Sequence, residues 1–474
     1  MAVDYDVVII GGSRAGRYAA VAATQLGATV ALVEPQTISI YSPLLTPHAL
    51  TKIGQYQQLN NAQFGIPWQN SRPVQWAEAM QWAEGVVSNL EDQNSPVVLA
   101  SLGVDVIFGK GEFQRLPNLA FSVNGRRLRA RAYLIATNSR PAIPDIAGLQ
   151  TTGYITAPEI WRLPPELPKR WVVLGADPSG IQLAQTLTQF GLNVTLIVRH
   201  SHILGKEDPE IAQLIQATLE AEGVRVLTET LVTQVKRIQD KKWVQAGNEA
   251  IETDEILVCA GQQPNVEELN LEAVGVEWNQ RRLMLNEKLQ TTNRRIYACG
   301  DVNGGYHPNI ANYEAQIALK NALFFPMFKV NYRSIPWAIF SNPQLARVGL
   351  TEAQAKRRYG NDVVVLRQYF KSVAAAQLSG ETTGICKLIV LHSGEILGSS
   401  IVGSQAGELI NVVASAIAQN LKISAIAQLT PVYPSLSEIL DQIAVNWTKA
   451  KLTRNTRLQN FLEGFFNFRR SWSR

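Results

Sequence analysis

The chain has 474 residues, which exceeds the size of a single hydrophobic core and predicts two to four domains. Its hydrophobic fraction of 46% and charged fraction of 18% exclude wholesale disorder, and no apolar run has the roughly 18 residues of a membrane-spanning helix. The formal net charge of +5 is confined to one end, because residues 445–474 contain seven basic and one acidic residue. A charge restricted to one end indicates a local contact surface, so we expect no nucleic-acid partner.

The N-terminal segment Met1–Ile10 lacks a basic flank, contains two aspartates and runs into glycines. It predicts a strand and not a signal peptide, so we expect a cytoplasmic protein. The three cysteines, Cys259, Cys299 and Cys386, are spaced too widely for a disulfide framework or a zinc site. We interpret them as small buried hydrophobic residues and expect no metal site.

The first motif lies at the N-terminus. It begins with the strand Tyr5–Ile10 and the turn Gly11-Gly12-Ser13-Arg14-Ala15-Gly16. An alanine-rich helix follows to about Leu26, and then the strand Thr29–Val33 ends in Glu34. This order predicts a dinucleotide-binding βαβ unit. Gly11 permits the sharp turn, Gly16 allows close packing of helix on strand, and the N–H groups at the helix start bind a pyrophosphate. Glu34, 23 residues after Gly11, is placed to bind an adenosine ribose. Ser13 stands where a second glycine is usual.

The same arrangement recurs about 160 residues later as the strand Trp171–Leu174, the turn Gly175-Ala176-Asp177-Pro178-Ser179-Gly180, the helix Ile181–Phe190 and the strand Asn193–Val198. Gly175 and Gly180 are the predicted pyrophosphate-binding glycines. Asp177 replaces the middle glycine, and its carboxylate repels a pyrophosphate unless it is neutralised. Arg199 and His200 follow the strand in place of an acid, which favours a dinucleotide with a 2′-phosphate, such as NADPH. The alternative is an α/β domain that binds no nucleotide.

Two such units in one chain resemble the flavin-dependent pyridine nucleotide–disulfide oxidoreductases, such as glutathione reductase, dihydrolipoamide dehydrogenase and mercuric reductase. Four further segments carry the resemblance: the ATG-like crossover Leu134–Pro141, the GRxPN-like turn Gly261–Asn265, the second flavin motif Ile296–Asp301 and the interface segment Ile335–Glu352. The resemblance implies FAD bound by Gly11, Ser13, Gly16, Glu34, Thr137, Gly300 and Asp301. It also implies a homodimer.

The cysteine pair that defines the family's chemistry is absent from this chain. The family has a CxxxxC disulfide just after the first ribose-binding acid, whereas here the segment is Tyr41-Ser42-Pro43-Leu44-Leu45-Thr46-Pro47-His48-Ala49-Leu50. A thiolate is the required nucleophile for disulfide exchange. The resemblance also implies a lysine at Ala49 and a glutamate at Gln182, so both charges beside the flavin are missing. An aromatic lid of the family is replaced by Pro178.

Three residues remain as candidate catalytic groups. Tyr433 replaces the family's acid/base histidine, and a phenol with a pKa of about 10 can donate a proton but is a poor base at neutral pH. Glu438, which would orient that histidine, either holds the phenol or completes a helix start. His48 lies in the expected loop Tyr41–His48, where it either protonates a reduced acceptor or is simply a hydrogen-bonded structural group.

The C-terminal tail repeats apolar residues at helical spacing: Leu458, Phe461, Leu462, Phe465 and Phe466. Arginines and Trp472 surround this face. Such an amphipathic helix fits attachment to an anionic membrane surface or an acidic partner. The alternative is a helix that docks on its own dimer and leaves its arginines in water.

The expected fold class is α/β, with two Rossmann-like domains and a C-terminal α+β dimerisation domain. We expect FAD in residues 1–149 and 270–333, NAD(P) in 150–269, dimerisation through 334–444 and a basic amphipathic tail at 445–474. The expected function is an NADPH-preferring oxidoreductase whose flavin passes electrons to a non-disulfide acceptor, either a small molecule such as a quinone or a redox protein. The alternative is a flavin-bearing binding or regulatory protein with little turnover, attached through its tail.

Overall fold

A computed structural model describes residues 3–35, 39, 41–62, 74–279, 282–303, 308–454 and 456–472. Among these residues the chain divides into two compact units. The first comprises residues up to 62, 74–203 and 219–331; the second comprises 204–218 and the residues from 332 onward.

The first unit contains a parallel sheet whose five strands lie in the order β20-β7-β1-β2-β3, with bounds Ile296–Ala298, Ala130–Ile135, Tyr5–Ile10, Val30–Glu34 and Val104–Phe108. The two central strands are almost completely buried, as expected for a sheet covered on both faces. Helix α1 (Arg14–Gln25) connects β1 to β2 and buries four alanines, so it can pack closely on the sheet. Helix α8 (Pro308–Leu323) packs against α1.

A second parallel sheet in this unit has the order β12-β11-β10-β16-β9, with bounds Arg225–Leu227, Asn193–Ile197, Arg170–Leu174, Glu255–Val258 and Ile155–Thr156. Helix α6 (Pro178–Gln189) connects β10 to β11 and begins at the second glycine turn. The two sheets therefore repeat one design, a βαβ crossover with a glycine turn at the carboxyl end of its first strand.

Smaller elements complete the first unit. Its antiparallel strands are β4 (Gly111–Gln114), β5 (Ala120–Val123), β6 (Arg126–Leu128), β8 (Ser139–Pro141), β13 (Val232–Ile238), β14 (Lys241–Ala246), β15 (Glu249–Thr253), β17 (Gln262–Pro264), β18 (Trp278–Asn279) and β19 (Arg282–Leu283). Its other helices are α2 (Ser42–Ala62), α3 (Trp76–Gln93), α4 (Pro96–Ser101) and α5 (Leu149–Thr152). Helix α7 (Pro209–Ala221) begins in the second unit.

The second unit is an antiparallel sheet covered by helices. Its strands lie in the order β21-β22-β25-β24-β23, with bounds Trp337–Ile339, Gln344–Gly349, Ile396–Gly403, Ile385–Leu391 and Val363–Tyr369. Its helices are α9 (Glu352–Tyr359), α10 (Ala374–Ser379), α11 (Ala406–Ala418), α12 (Ile423–Ile426), α13 (Glu438–Arg454) and α14 (Thr456–Trp472). Apolar residues of α11 and α13 pack on the sheet in one core. The predicted fold class, two Rossmann-like sheets and an α+β domain, is confirmed.

The predicted tail is divided between two helices. Residues 445–454 continue α13, and Trp447 is buried in the core of the second unit. Helix α14 buries none of its described side chains. The amphipathic segment therefore begins at Thr456. Within the described part of the chain, no helix combines the length and the apolar character needed to cross a membrane.

Candidate functional site

The first glycine turn leaves almost no space for side chains. Gly11 has a φ of +109°, and a Cβ there would lie 2.4 Å from the Ala136 carbonyl oxygen. A Cβ on Gly16 would lie 2.1 Å from the Gly11 carbonyl oxygen. Ser13 begins α1, and its hydroxyl accepts a hydrogen bond from the Gly16 N–H at 3.2 Å. The turn therefore presents an uncharged helix start, where backbone N–H groups favour an anion.

Glu34 ends β2 and lies over this turn. Its side chain is 3% exposed, and a Cβ on Gly12 would lie 1.7 Å from its Oε2 atom. Arg17 of α1 donates to the carboxylate from Nε at 3.2 Å and from Nη2 at 3.1 Å, and it also donates to the Asn94 carbonyl. Burial raises the pKa of Glu34, and Arg17 opposes that rise. Since a carboxylate has about four acceptor positions, Glu34 can still accept hydrogen bonds from a ribose.

Thr137 and Asp301 follow two neighbouring strands of the first sheet, β7 and β20. The Thr137 hydroxyl is buried and has no hydrogen-bond partner among the described residues. A Cβ on Gly11 would lie 2.5 Å from the Thr137 Cα, so Thr137 borders the glycine turn. A Cβ on Gly300 would lie 3.5 Å from the Ala15 Cβ, which places the start of the Asp301 turn against the start of α1.

These residues fit FAD. A buried hydroxyl without a partner is rare in folded proteins, and a bound ligand, a water molecule or an ion can supply the missing partner. The close-packed glycines of the turn and the buried acid at the end of β2 match what the phosphates and the ribose of an adenine dinucleotide require.

The second glycine turn has the same backbone form but a different charge. Gly175 has a φ of +97°, and a Cβ there would lie 2.3 Å from the Cys259 carbonyl oxygen. Asp177 begins α6, and its Oδ1 accepts from the Gly180 N–H at 2.8 Å and from the Ser179 hydroxyl at 2.7 Å. Burial raises the pKa of Asp177, while these hydrogen bonds lower it. A carboxyl therefore lies where the first turn has a hydroxyl.

Arg199 and His200 lie beyond the end of β11 and are exposed. The Arg199 Nε atom lies 3.4 Å from the His200 Nε2 atom. The guanidinium is positioned at the carboxyl end of the strand, where a dinucleotide-binding unit contacts the ribose. Its charge suits a 2′-phosphate.

The segment expected to be a loop, Tyr41–His48, instead forms the first turns of helix α2. Two prolines favoured the loop interpretation. Pro43 lies in the first helical turn, where N–H groups have no intrahelical partner, and Pro47 removes only one hydrogen bond from a helix of 21 residues. Helical packing against α6 therefore outweighs the cost of Pro47.

His48 lies on the face of α2 that contacts α6. The Gln182 amide nitrogen lies 2.7 Å from His48 Nδ1 and donates to Thr51 Oγ1 at 3.0 Å, and Thr51 Oγ1 lies 2.7 Å from Thr186 Oγ1. Burial lowers the pKa of His48 to about 4, against the hydrogen bond from Gln182. The imidazole is therefore neutral at pH 7. Uncharged hydrogen bonds therefore connect Gln182, which lacks the family's charge, and Thr186 with His48 and Thr51, the neighbours of Ala49 in α2.

Residues 5–322 match the family described as pyridine nucleotide-disulphide oxidoreductase, and residues 335–444 match its dimerisation domain. The chain belongs to this family. It is 32% identical over 460 residues to a mercuric reductase of Staphylococcus aureus, covering 94% of this chain and 83% of the relative. It is 29% identical over 463 residues to a dihydrolipoyl dehydrogenase of Geobacillus stearothermophilus, covering 94% and 96%.

Solved structures show the same relationship. The Cu(II) complex of the HOCl-induced flavoprotein disulfide reductase RclA from Escherichia coli superposes with a TM-score of 0.83. The identity is 26%, over 94% of this chain and 100% of that one. The chain is thus a member of a flavin-dependent pyridine nucleotide oxidoreductase family, and its dimerisation domain supports a homodimer.

The three cysteines of the chain lie far in the sequence from Glu34 and the segment that follows it. All three cysteines are buried, which confirms the prediction made from their spacing. Burial raises the pKa of Cys386 to about 12 and raises the pKa of Cys259 and of Cys299 well above the ordinary value. No cysteine occurs between Glu34 and residue 258. A protonated, buried thiol is not an exchange nucleophile.

Tyr433 and Glu438 occupy the segment where the family has its acid/base pair. The Tyr433 residue is 76% exposed. The Glu438 carboxyl accepts a hydrogen bond from the Ser435 N–H at 2.9 Å, at the start of α13. Of the two roles considered for Glu438, this geometry favours completion of the helix start.

Two contributors were not predicted from the sequence. Arg17, which orients Glu34, carries a recognisable signal: it is a basic residue one turn into the dinucleotide helix, near an isolated acid. Gly261 lies 84 positions from Asp177 in the chain, and its backbone N–H lowers the pKa of that carboxyl. The sequence assigned Gly261 to the GRxPN-like turn but carried no signal that this turn lies beside Asp177.

Proposed function

We propose that this protein is an FAD-dependent oxidoreductase that passes electrons to a non-disulfide acceptor, a quinone or a redox protein, and does not reduce disulfides. The observation that carries the proposal is the placement of sulfur: the flavin-site motifs are present, while every cysteine is buried and none follows Glu34 at the expected position. When bound, FAD supplies hydride acceptance and one- or two-electron donation. The acceptor must therefore approach the flavin directly.

The chain's own residues bind and orient the cofactor. The Gly11–Gly16 turn and the start of α1 would hold the pyrophosphate, and Glu34, held by Arg17, would bind the ribose. The Thr137 hydroxyl and Asp301 complete the proposed set. This set contains two acids, Glu34 beside Arg17 and Asp301 after β20, and one buried hydroxyl, that of Thr137.

The proposed electron donor is NADPH. The exposed Arg199 and His200 at the end of β11 supply positive charge for a 2′-phosphate, and the strand ends without an acid that would select NADH. Gly175 and Gly180 are the proposed pyrophosphate glycines, although Asp177 between them makes binding weak.

We place the acceptor beside the Tyr41–His48 turn of α2 and Tyr433 from the other subunit. Tyr433 retains an O–H that can donate a proton to a reduced quinone. Because burial lowers its pKa to about 4, His48 does not supply a proton as an imidazolium at pH 7.

Anaerobic mixing with NADPH tests the proposed function. We expect flavin absorbance to bleach, and to return when a quinone is added. Oxidised glutathione and lipoamide should leave the reduced flavin unchanged. Turnover of either disulfide at rates comparable with the quinone would contradict the proposal, as would a purified protein that never retains FAD.

A second candidate is a flavin-bearing binding or regulatory protein with little turnover, attached to an anionic membrane surface or a partner through its tail. Two observations favour it: the Asp177 carboxyl at the second turn and the exposed aromatic face of α14. Flavin absorbance that stays unbleached in excess NADPH would select this candidate over the first.

A further inference from the structure

The carboxyl of Asp177 accepts two hydrogen bonds at the start of α6. They come from the Gly180 N–H at 2.8 Å and from the Ser179 hydroxyl at 2.7 Å. The backbone N–H groups of Ser179 and Gly261 also lower the pKa of this carboxyl. Converging N–H groups at a helix N-terminus form a concave anion-binding site. In this chain, the Asp177 side chain occupies that site.

The first βαβ unit provides an internal comparison. Ser13 occupies the same position in its turn and accepts one N–H, that of Gly16, at the longer distance of 3.2 Å. The next residue is Arg14 in the first unit and Pro178 in the second, which has no N–H to offer. The first turn is therefore neutral to positive, whereas the second is negative and has one donor fewer.

We propose that the Asp177 carboxyl is an internal substitute for the dinucleotide pyrophosphate. The carboxyl occupies the second phosphate-binding turn and competes with NADPH for the N–H donors of that turn. This inference rests on the proposed function, since it concerns the regulation of the proposed donor site. A dinucleotide must displace the carboxyl from these donors or meet its charge at close range. Either route weakens binding relative to a turn of the Ser13 type.

The alternative role for Asp177 is that of a helix cap alone. Serine, asparagine and aspartate cap helices about equally well. Replacing Asp177 by Ser or by Asn therefore retains the cap and removes the negative charge, so that a gain in nucleotide affinity is not a folding effect. Asp240 provides a charge-matched control, because it is exposed in a turn with a φ of +61°, which asparagine tolerates.

The test is equilibrium titration of the FAD-loaded protein with NADPH, followed by nicotinamide fluorescence. We expect Asp177→Ser and Asp177→Asn to lower the Kd for NADPH by about tenfold or more, as removal of a close charge requires. Asp240→Asn should stay within about twofold of the unchanged protein. Equal Kd values for all four proteins, or no binding by any of them, would overturn the inference.

The same proteins are then mixed anaerobically with saturating NADPH, which separates the two proposals. Tighter binding by Asp177→Ser without flavin bleaching would support the internal substitute and reject NADPH as electron donor. Equal binding with rapid bleaching in every protein would reject the internal substitute and leave the oxidoreductase function in place.

Discussion

Buried charges of the second unit show how single residues depend on their surroundings. Lys387 is 1% exposed, and its Nζ atom lies 2.9 Å from Asp208, 2.7 Å from Glu352 and against Glu210. Arg367 pairs with Glu210 at 2.9 Å. This network joins the segment 204–218 to the antiparallel sheet, where each charge has several partners, as buried charges require.

Glu207, next to this network, is the exception. Its side chain is 2% exposed and, within the part of the chain that the structure describes, pairs only with Arg347, at 3.1 Å. Its other oxygen is buried and has no hydrogen bond to a described residue. Burial raises the pKa of Glu207 to about 7, against the attraction of Arg347. The folded chain thus keeps this proton at a pH where the unfolded chain, with a carboxyl pKa near 4.5, has lost it.

The free energy of unfolding should therefore fall as the pH rises from about 4.5 to about 7, and the full cost of ionising the buried Glu207 is present above pH 7. Glu207→Gln removes this cost. We expect the variant to exceed the unchanged protein in free energy of unfolding by roughly 2–3 kcal/mol at pH 8, and by little at pH 4.5. Thermal unfolding across this pH range measures the difference. Glu268→Gln is the control, because the Glu268 side chain is 72% exposed. The prediction would be contradicted if the difference in free energy of unfolding between Glu207→Gln and the unchanged protein did not vary with pH.

At the scale of elements, the residues at the helix ends determine which charged and polar groups the candidate site contains. Helices α1 and α6 start on equivalent turns, yet one is capped by Ser13 and the other by Asp177, so that similar backbones present a hydroxyl in one turn and a carboxyl in the other. Helix α2 replaces an expected loop and brings His48 against Gln182 of α6. Helix α13 extends to Arg454, so within the described part of the predicted tail the exposed aromatic residues lie in α14.

Helix α14 exposes five aromatic side chains, Phe461, Phe465, Phe466, Phe468 and Trp472. We expect the full-length protein to co-sediment with phosphatidylglycerol vesicles and to dissociate as salt rises, because arginines border the aromatic face. Replacing Phe461 and Phe465 together by Glu should weaken binding about tenfold or more.

Phe325→Glu is the matched control for this vesicle experiment, because Phe325 is an exposed phenylalanine, 76% accessible, in the first unit. It should leave vesicle binding unchanged. A full-length protein that remains in the supernatant at low salt would refute membrane attachment by α14.

At the scale of the whole molecule, the dimerisation domain predicts a particle of two chains. Val432 and Tyr433 are 79% and 76% exposed in the single chain, which is unusual for neighbouring apolar and aromatic side chains outside an interface. Light scattering after size exclusion should report twice the mass of the chain. Val432→Arg should shift the protein towards monomer, whereas Phe325→Arg should not; a monomeric unchanged protein would contradict the prediction.

Sequence patterns were sufficient to predict the two βαβ units, the buried cysteines and the family, and the family resemblance implied the α+β C-terminal domain. These features depend on local rules: a glycine turn needs particular residues at fixed spacing, and a buried strand needs a run of apolar side chains. The absence of cysteine after Glu34 is likewise visible in the chain itself.

Only the tertiary structure decided how those residues are used. The hydrogen bonds of Glu34 with Arg17 and of His48 with Gln182 join different secondary-structure elements, and each affects a pKa. Burial and long-range hydrogen bonds set the free energy of a charged group, and neither is encoded in local spacing. The sequence alone therefore identified two glycine turns and a carboxylate in the second one, whereas the burial of that carboxyl and its hydrogen bonds with Gly180 and Ser179 are known only from the folded chain.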